Sequence, residues 1–498
     1  MESNSEARDA AFYRGGFVLA AAYVLFGVMP DYDLNFTCSD LSYVLLPGIF
    51  RRGLGLRAGD LAHAFWRVQQ ADDNRGRYLS HITAILNAHL RIFLERFVPP
   101  HPSFTFAWIF NVVLAPYLLF KLMERLSGKR STAWACAALY LLSPGFLSGI
   151  AMLFFSGKPF AHFAIVGALL LASWPDWSKG EAAPKSPSRR RSIALASLLF
   201  VSCFFDETAW FAAAALTILF CAGIPRNAKQ TQVILRYFAP FLCFLVLMTI
   251  PIRGMESGIT FWRLLVLENE KFLGASFDLA RNSYYVLGCH FLPQAVLNGA
   301  WGWAAPLFLS AFGIIAWLWS RGVETAQRKL LGRTALLLAA YLLYHALIMT
   351  RHPVVVEIFH SCFYYGSLTS LFLMMLFSVL LTTQSSTVGR GAAKAFFAVW
   401  MMFLAFNFAG IDRQWKEWDV KGTLLSRRPI VAVVERGHDD ASGPSFREVL
   451  RAWRVRNDPE ALARLRREYP QSAFWLFNEL DFIASRDVPD LAFRRGGR

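Results

Sequence analysis

Two pairs of carboxylates stand out in a chain that is otherwise strongly apolar. Asp31 and Asp33 lie in "MPDYDLNF", directly after the first long apolar segment. A carboxylate at such a water–lipid boundary can take a proton from an incoming hydroxyl group, and partial burial raises the pKa of a carboxyl group toward a useful value. Asp206 and Glu207 lie in the middle of the uncharged apolar segment 192–224. Both placements predict chemistry at the edge of a membrane.

The composition excludes a soluble globular protein. Of the 498 residues, 55% are hydrophobic, and the mean hydropathy is +0.37, which exceeds what a soluble core can bury. The apolar segments are continuous rather than alternating, so they predict helices instead of a β-barrel. We therefore expect an all-α polytopic membrane protein with about eleven transmembrane helices. The predicted spans are 15–29, 104–122, 133–155, 160–174, 192–205, 209–223, 233–252, 303–319, 335–349, 364–382 and 395–410.

The distribution of basic residues predicts the orientation of these spans. Lys and Arg are concentrated in alternate connections, at 121–130, 178–191, 224–230, 320–333 and 389–394. The positive-inside rule assigns such short loops to the cytoplasm. The net charge of +16 is therefore explained by topology and does not indicate a nucleic-acid partner. The N-terminus is predicted to be cytoplasmic, with a retained first span, because no small-residue cleavage site follows it.

Because the basic loops alternate along the chain, Asp206 and Glu207 are predicted to form a turn on the outer side, between two spans. Each half of this hairpin is only about 15 residues long against the ~20 that a full span prefers, so the turn is predicted to be sunk below the outer surface. A carboxylate there costs on the order of 3 kcal/mol by insertion scales, which favours a wet cavity or a cationic partner. The alternative is a turn that reaches the headgroups, with Glu207 capping the next helix.

The longer connections fall on the predicted outer side. The first outer loop, 30–103, contains an amphipathic stretch that includes Leu79 and Ile82 and is expected to lie along the membrane surface. The second outer loop, 253–302, contains another amphipathic and aromatic stretch. Residues 1–411 form the predicted transmembrane domain, and 412–498 form a small extracytoplasmic C-terminal domain with charges of both signs.

This layout, with "DYD" at Asp31 and Asp33, resembles the GT-C glycosyltransferases. The resemblance implies transfer of a sugar from a polyprenyl-phosphate carrier to a glycan, lipid or protein acceptor, on the outer face of a bacterial-type inner membrane. It also implies that one of these two aspartates is the base. "ADDNRGRYLSHI" looks like a stretch of the same loop in some O-antigen-modifying glucosyltransferases of this class. The matching positions are Asp72, Asp73, Arg75 and Arg77.

Transfer of this kind needs cations that stabilise the leaving phosphate. The candidates are Arg75 and Arg77, Lys158 in "SGKP", and Arg351 with His352 in "TRHP". The two loop arginines have an alternative role in pairing with neighbouring acids or touching headgroups. Lys158 has an alternative role as a snorkelling lysine at the end of a span.

The sequence leaves open the role of one further polar residue and whether a metal ion binds. His360 is a candidate for lining a sugar pocket, with capping or interfacial contact as the alternative. No cofactor is required by the pattern. A divalent ion, Mg or Mn, shared by Asp31 or Asp33 with Asp206 or Glu207 would screen phosphate repulsion.

Rival functions share some of these features. A transporter or flippase of a lipid-linked glycan would place charged groups near the membrane midplane in paired halves, and no two halves of this chain match. An O-antigen polymerase or ligase would use the same lipid carrier but depend on outer Arg and His.

Four cysteines in apolar segments are predicted to be small core residues, namely Cys136, Cys203, Cys221 and Cys243. One disulfide is left open among Cys38, Cys289 and Cys362.

Overall fold

The structure is a computed structural model, and it describes residues 2–28, 79, 82–83, 109–146, 157–173, 189–221, 228–249, 275–293, 297, 301–349 and 367–423. These residues are mostly helical, and no strand is found among them beyond one isolated bridge. Twelve α-helices are described, which we number in chain order: α1 Glu2–Ala22, α2 Ala115–Ser127, α3 Arg130–Leu141, α4 Gly157–Ala172, α5 Arg189–Ser202, α6 Ala212–Cys221, α7 Ala228–Thr249, α8 Ala275–Gly288, α9 Trp301–Gly322, α10 Thr325–Met349, α11 Ser367–Thr382 and α12 Thr387–Thr423.

A helix overlaps each of the eleven apolar segments predicted from the sequence, so the all-helical class is confirmed. Within the described ranges, three helices are long and apolar enough to cross a membrane: Ser5–Gly27, Ala304–Gly322 and Thr387–Phe408. Shorter apolar helices run over Phe160–Ala172, Thr208–Cys221, Thr231–Leu247 and Ser367–Thr382. Prolines inside α7 and α9, Pro240 and Pro306, are of the kind that membrane helices tolerate because neighbouring groups satisfy the freed carbonyls.

Helix α11 is the centre of the bundle. All 16 of its residues are buried, as expected of a helix that is apolar on every side. It packs against α3, α10 and α12. Two of its hydroxyl groups bond back to its own carbonyls, Ser378 to Met375 at 2.8 Å and Thr382 to Ser378 at 2.7 Å. These bonds satisfy polar groups that would otherwise be costly in an apolar core.

Several loops predicted to be cytoplasmic meet at one end of the bundle, which we call the basic end. The ammonium group of Lys129 lies 2.7 and 2.8 Å from the two carboxylate oxygens of Glu324. Glu6 accepts hydrogen bonds from the backbone N–H and the hydroxyl of Ser131, both at 3.1 Å. The N–H of Glu324 donates to the carbonyl of Thr383 at 2.9 Å. Elements from four parts of the chain therefore end on the same side of the bundle.

The basic end also shows how α2 stops. Gly128 has a φ of +69°, a left-handed conformation that favours glycine, and its N–H donates to the carbonyl of Glu124 at 3.0 Å. Glu124 lies beyond the predicted span 104–122, and both Lys121 and Arg130 donate to it at 3.0 Å. Burial opposes ionisation of this carboxyl group, but the two basic partners outweigh it, so the pKa of Glu124 lies below its usual value.

The opposite end of the bundle, which we call the turn end, contains the acidic turn. The chain before α2 is π-helical over Ile109–Leu114, and Phe110 there packs against Phe160 of α4. Phe160 in turn stacks on Phe205 beside Asp206, with ring centroids 3.6 Å apart. The 6 π-helical and 13 α-helical residues that separate this contact from the basic end span about 27 Å. That length is close to the ~30 Å hydrocarbon core of a bilayer.

Helix α8 lies in the predicted second outer loop, and its second half is buried in the bundle. Tyr284, Val286 and Leu287 are at most 3% exposed. The helix packs against α9 and α10, and the ring of Tyr284 meets Phe308 edge-on at 5.9 Å. Its apolar face is therefore covered by neighbouring helices.

Helix α12 continues to Thr423, across the domain boundary predicted at residue 412, and residues 424–498 lie outside the described part of the chain.

The cysteine predictions are mostly confirmed. Cys136, Cys203 and Cys221 are buried, as expected of small core residues. The same prediction is wrong for Cys243, which is exposed on α7 because it does not face the packed side of that helix. Cys289 is buried, whereas Cys38 and Cys362 lie outside the described residues, so the disulfide among these three stays a prediction.

Candidate functional site

The structure describes three of the predicted site residues, Lys158, Asp206 and Glu207. Lys158 is the second residue of α4, and Glu207 begins a short 3-10 helix, Glu207–Phe211, that leads into α6. The remaining predicted residues lie outside the described ranges: Asp31, Asp33, Asp72, Asp73, Arg75, Arg77, Arg351, His352 and His360.

Asp206 is fully buried and caps the 3-10 helix. Its backbone is extended, with φ −161° and ψ 147°. One carboxylate oxygen, Oδ1, accepts hydrogen bonds from the Thr208 N–H at 2.9 Å and from the Thr208 hydroxyl at 2.6 Å. These bonds satisfy a backbone donor that the start of a helix leaves without an intrahelical partner. The capping role that the sequence offered to Glu207 is therefore filled by Asp206.

The turn around Asp206 is inside the protein. Phe205 stacks on Phe160, and the indole N–H of Trp210 donates to the carbonyl of Cys203 at 3.1 Å. Phe211 packs against Tyr341 and Phe372 of two further helices. The two ends of the turn are thus fixed by aromatic packing, and the carboxylate has a defined position.

The first outer loop contacts this turn. The backbone N–H of Leu79 donates to the carbonyl of Phe204 at 3.0 Å. Leu79 also packs against the cluster of Phe160, Ala164 and Phe205, and the Thr83 hydroxyl donates to the Leu79 carbonyl at 2.8 Å. Three segments with predicted site residues therefore converge at the turn end: the first outer loop, the first turn of α4, and the acidic turn.

A second polar cluster lies at the same end and was not predicted. The hydroxyl of Tyr140 on α3 is 2.7 Å from His162 Nδ1 on α4. His162 Nε2 is 3.1 Å from the hydroxyl of Ser367, the first residue of α11. All three side chains are at most 1% exposed. The imidazole therefore links three helices through a buried hydrogen-bonded chain.

His290, just after α8, forms a matching arrangement one helical turn along α11. Its Nε2 lies 2.8 Å from the hydroxyl of Ser370. Ser370 also accepts the backbone N–H of Gly145 at 2.9 Å, so its own proton is available to donate to His290. The other ring nitrogen, Nδ1, lies 3.4 Å from the sulfur of Cys289. We refer to this set, with Tyr140, His162 and Ser367, as the histidine network.

Close packing of the backbone holds the histidine network in place. A Cβ atom added at Gly145 would collide with the carbonyl oxygen of Ser367, so the turn that follows α3 and the start of α11 are in direct contact there. On the other side, Trp400 donates to the His290 carbonyl at 2.8 Å and Asn407 donates to the Cys289 carbonyl at 2.6 Å. Both donors are on α12, which fixes the end of α8.

Two buried imidazoles bonded to hydroxyl groups can hold or pass protons inside an apolar bundle. The sequence signal for them was available, because His162 in "PFAHFAIV" and His290 in "LGCHFLP" are polar residues surrounded by apolar ones. A polar side chain in such a segment is a functional candidate by default. Within the described ranges, no group of three or more His, Cys, Asp or Glu side chains is arranged to hold a metal ion.

Comparisons of the chain with protein-family models, with curated proteins and with solved structures found no match.

Proposed function

We propose that the chain is an integral membrane glycosyltransferase of the GT-C type, which transfers a sugar from a polyprenyl-phosphate carrier to a glycan, lipid or protein acceptor. The observation that carries the proposal is the hydrogen bond between Leu79 and Phe204. It joins the first outer loop to the acidic turn, at the end of the bundle opposite the basic loops. With eleven crossings and the basic end in the cytoplasm, this end and the C-terminal domain are extracytoplasmic.

The reaction assigns one role to the acids and another to the cations. The acceptor hydroxyl attacks the anomeric carbon, Asp31 or Asp33 takes its proton, and the bond from that carbon to the carrier oxygen breaks. The carrier leaves as polyprenyl phosphate, which needs positive charge beside it. Arg77 precedes Leu79 by two residues in the sequence. Lys158 precedes Phe160 by two residues on the facing helix.

The acidic turn has a folding role in this proposal as well as an electrostatic one. Asp206 caps the 3-10 helix through Thr208, a role that does not depend on a metal ion. A Mg or Mn ion shared by Asp31 or Asp33 with the turn would screen repulsion between carboxylates and phosphate. Activity in the presence of a chelator tests this addition separately from the transfer itself.

The test measures release of polyprenyl phosphate, the product that all such donors share. Protein in lipid nanodiscs is given undecaprenyl-phosphate-linked glucose or mannose together with a membrane extract that supplies acceptors. We expect release by the wild type and loss of release in Asp31→Asn or Asp33→Asn. Asp9→Asn is the matched control, because Asp9 pairs with Lys394 at the basic end. Full release by both loop variants would contradict the mechanism.

The histidine network favours a second candidate, transport of a lipid-linked glycan. Polar residues inside a membrane bundle line substrate and proton pathways, and His162 and His290 are fully within the protein. A flippase moves the intact lipid and leaves its sugar–phosphate bond unbroken. Movement of a fluorescent polyprenyl-phosphate sugar across vesicles, without release of polyprenyl phosphate, would favour this second function over transfer.

A further inference from the structure

A stripe of exposed residues follows one side of α9 down to the basic end. Ile314, Trp317 and Leu318 are each more than half exposed. With Arg321 they occupy positions i, i+3, i+4 and i+7, which lie on one face of a helix. An apolar strip that ends in a guanidinium group has the layout of a phospholipid, in which acyl chains continue into a charged headgroup.

Two arginines, Arg321 and Arg328, lie where this stripe reaches the basic end. The guanidinium carbon of Arg321 lies 3.9 Å from the centre of the Trp317 ring, in stacking range. Arg328, on α10, donates through Nη2 to the Arg321 carbonyl at 3.4 Å and through Nε to the Val323 carbonyl at 3.3 Å. Arg328 therefore caps the end of α9 and holds its charge at that end of the helix.

The nearest acidic residue in this turn does not neutralise the pair. Glu324 is bound by Lys129 through both carboxylate oxygens. Across the part of the chain that the structure describes, neither Arg321 nor Arg328 forms an ion pair. A guanidinium group has five N–H donors, and the capping bonds of Arg328 use two of them. The site has positive charge and donors in the fork geometry that suits phosphate.

We propose that Arg321 and Arg328 bind the phosphate of an anionic phospholipid headgroup, with an acyl chain lying along Trp317, Leu318 and Ile314. The apolar stripe is the reason to assign a lipid rather than free phosphate, since free phosphate would gain nothing from it. This site is at the basic end, away from the acidic turn. It is independent of the proposed transfer reaction.

The experiment uses native mass spectrometry of the full chain in detergent, with dioleoyl phosphatidylglycerol or dioleoyl phosphatidylcholine added. We expect preferential retention of phosphatidylglycerol by the wild type. Each guanidinium removed should weaken it about fivefold. Arg321→Gln is the cleaner variant, because Arg328 bonds to the backbone carbonyl of residue 321 and its cap is retained. Trp317→Ala tests the apolar part of the site.

Arg190→Gln is the matched control, since Arg190 is an exposed arginine at the start of α5. Equal losses in Arg190→Gln and Arg321→Gln would show a general charge effect and overturn the site. Equal retention of the two lipids would overturn it too. Displacement of phosphatidylglycerol by millimolar inorganic phosphate would assign the ligand as phosphate alone and contradict the lipid assignment.

Discussion

His162 on α4 and Ser367 at the start of α11 are joined side chain to side chain, with Nε2 and Oγ 3.1 Å apart. They are separated by 205 residues in sequence. The other ring nitrogen of His162 meets the hydroxyl of Tyr140 at 2.7 Å, so one imidazole sets the relative position of three helices. Hydrogen bonds in apolar surroundings are directional and costly to break. The network therefore specifies how these helices pack, whatever chemistry it also serves.

Replacing His162 should destabilise the fold. In His162→Ala the hydroxyls of Tyr140 and Ser367 both lose a buried partner, which costs about 1 to 3 kcal/mol. The free energy of unfolding, measured by denaturant titration in mild detergent, should fall by that amount. A double-mutant cycle with Tyr140→Phe isolates the link between the two side chains, and their effects should be non-additive. Additive effects would show that the bond contributes nothing to stability.

Gly145 should not tolerate a methyl group. An added Cβ there collides with the Ser367 carbonyl and with the Ser370 side chain, so Gly145→Ala forces the turn after α3 away from α11. We expect a loss of about 1 to 3 kcal/mol, seen as a lower midpoint of thermal unfolding. Gly313→Ala is the control, because nothing lies within 4 Å of the added atom. Alanine in place of that helical glycine should be neutral or stabilising by up to ~1 kcal/mol.

Substitutions at Asp206 can separate capping from charge. Asparagine caps helices as well as aspartate does, whereas alanine costs about 1 kcal/mol. We therefore expect Asp206→Asn to keep the unfolding midpoint and Asp206→Ala to lower it. If the negative charge supports sugar transfer, both variants lose release of polyprenyl phosphate. Normal release of polyprenyl phosphate by Asp206→Asn would show that the negative charge is not needed and leave the residue its capping role.

The sequence was sufficient for the positions of the helices and for the buried turn. Continuous apolar segments have one stable arrangement in a membrane, and Asp206 in an uncharged segment requires a turn there. The partners of His162 and His290 were not predictable, because periodicity does not encode which helices become neighbours. The burial of α8 was missed for a related reason. An amphipathic face on Tyr284 and its neighbours fits a lipid surface or another helix equally well.

Which acidic residue caps the 3-10 helix could not be predicted from the sequence pattern. Both Asp206 and Glu207 suit the start of a helix by residue type. The choice between them depends on the extended backbone at Asp206 and on Thr208 two residues later. An error of one residue in the helix start exchanges the two roles. The sequence predicted the acidic turn, and the geometry decided which acid holds it together.

Glu124 gives a prediction about pH. Its pKa in the folded protein lies below the usual value of 4.5 because Lys121 and Arg130 donate to its carboxylate. A group with a lowered folded pKa contributes stability that is fully present above its unfolded pKa and is lost as the pH falls through the folded value. Glu124→Gln should therefore lower the free energy of unfolding by up to about 1 kcal/mol at neutral pH, the range of partly exposed ion pairs. The difference from wild type should shrink below pH 4.5 and vanish in stronger acid. In the combined variant Lys121→Gln and Arg130→Gln, which removes both donors, burial alone acts on Glu124, so the Glu124→Gln difference should no longer shrink as the pH falls. With both donors present, a difference that grew as the pH fell would contradict the prediction, because it would mean that the folded protein binds a proton at Glu124 more tightly than the unfolded chain does.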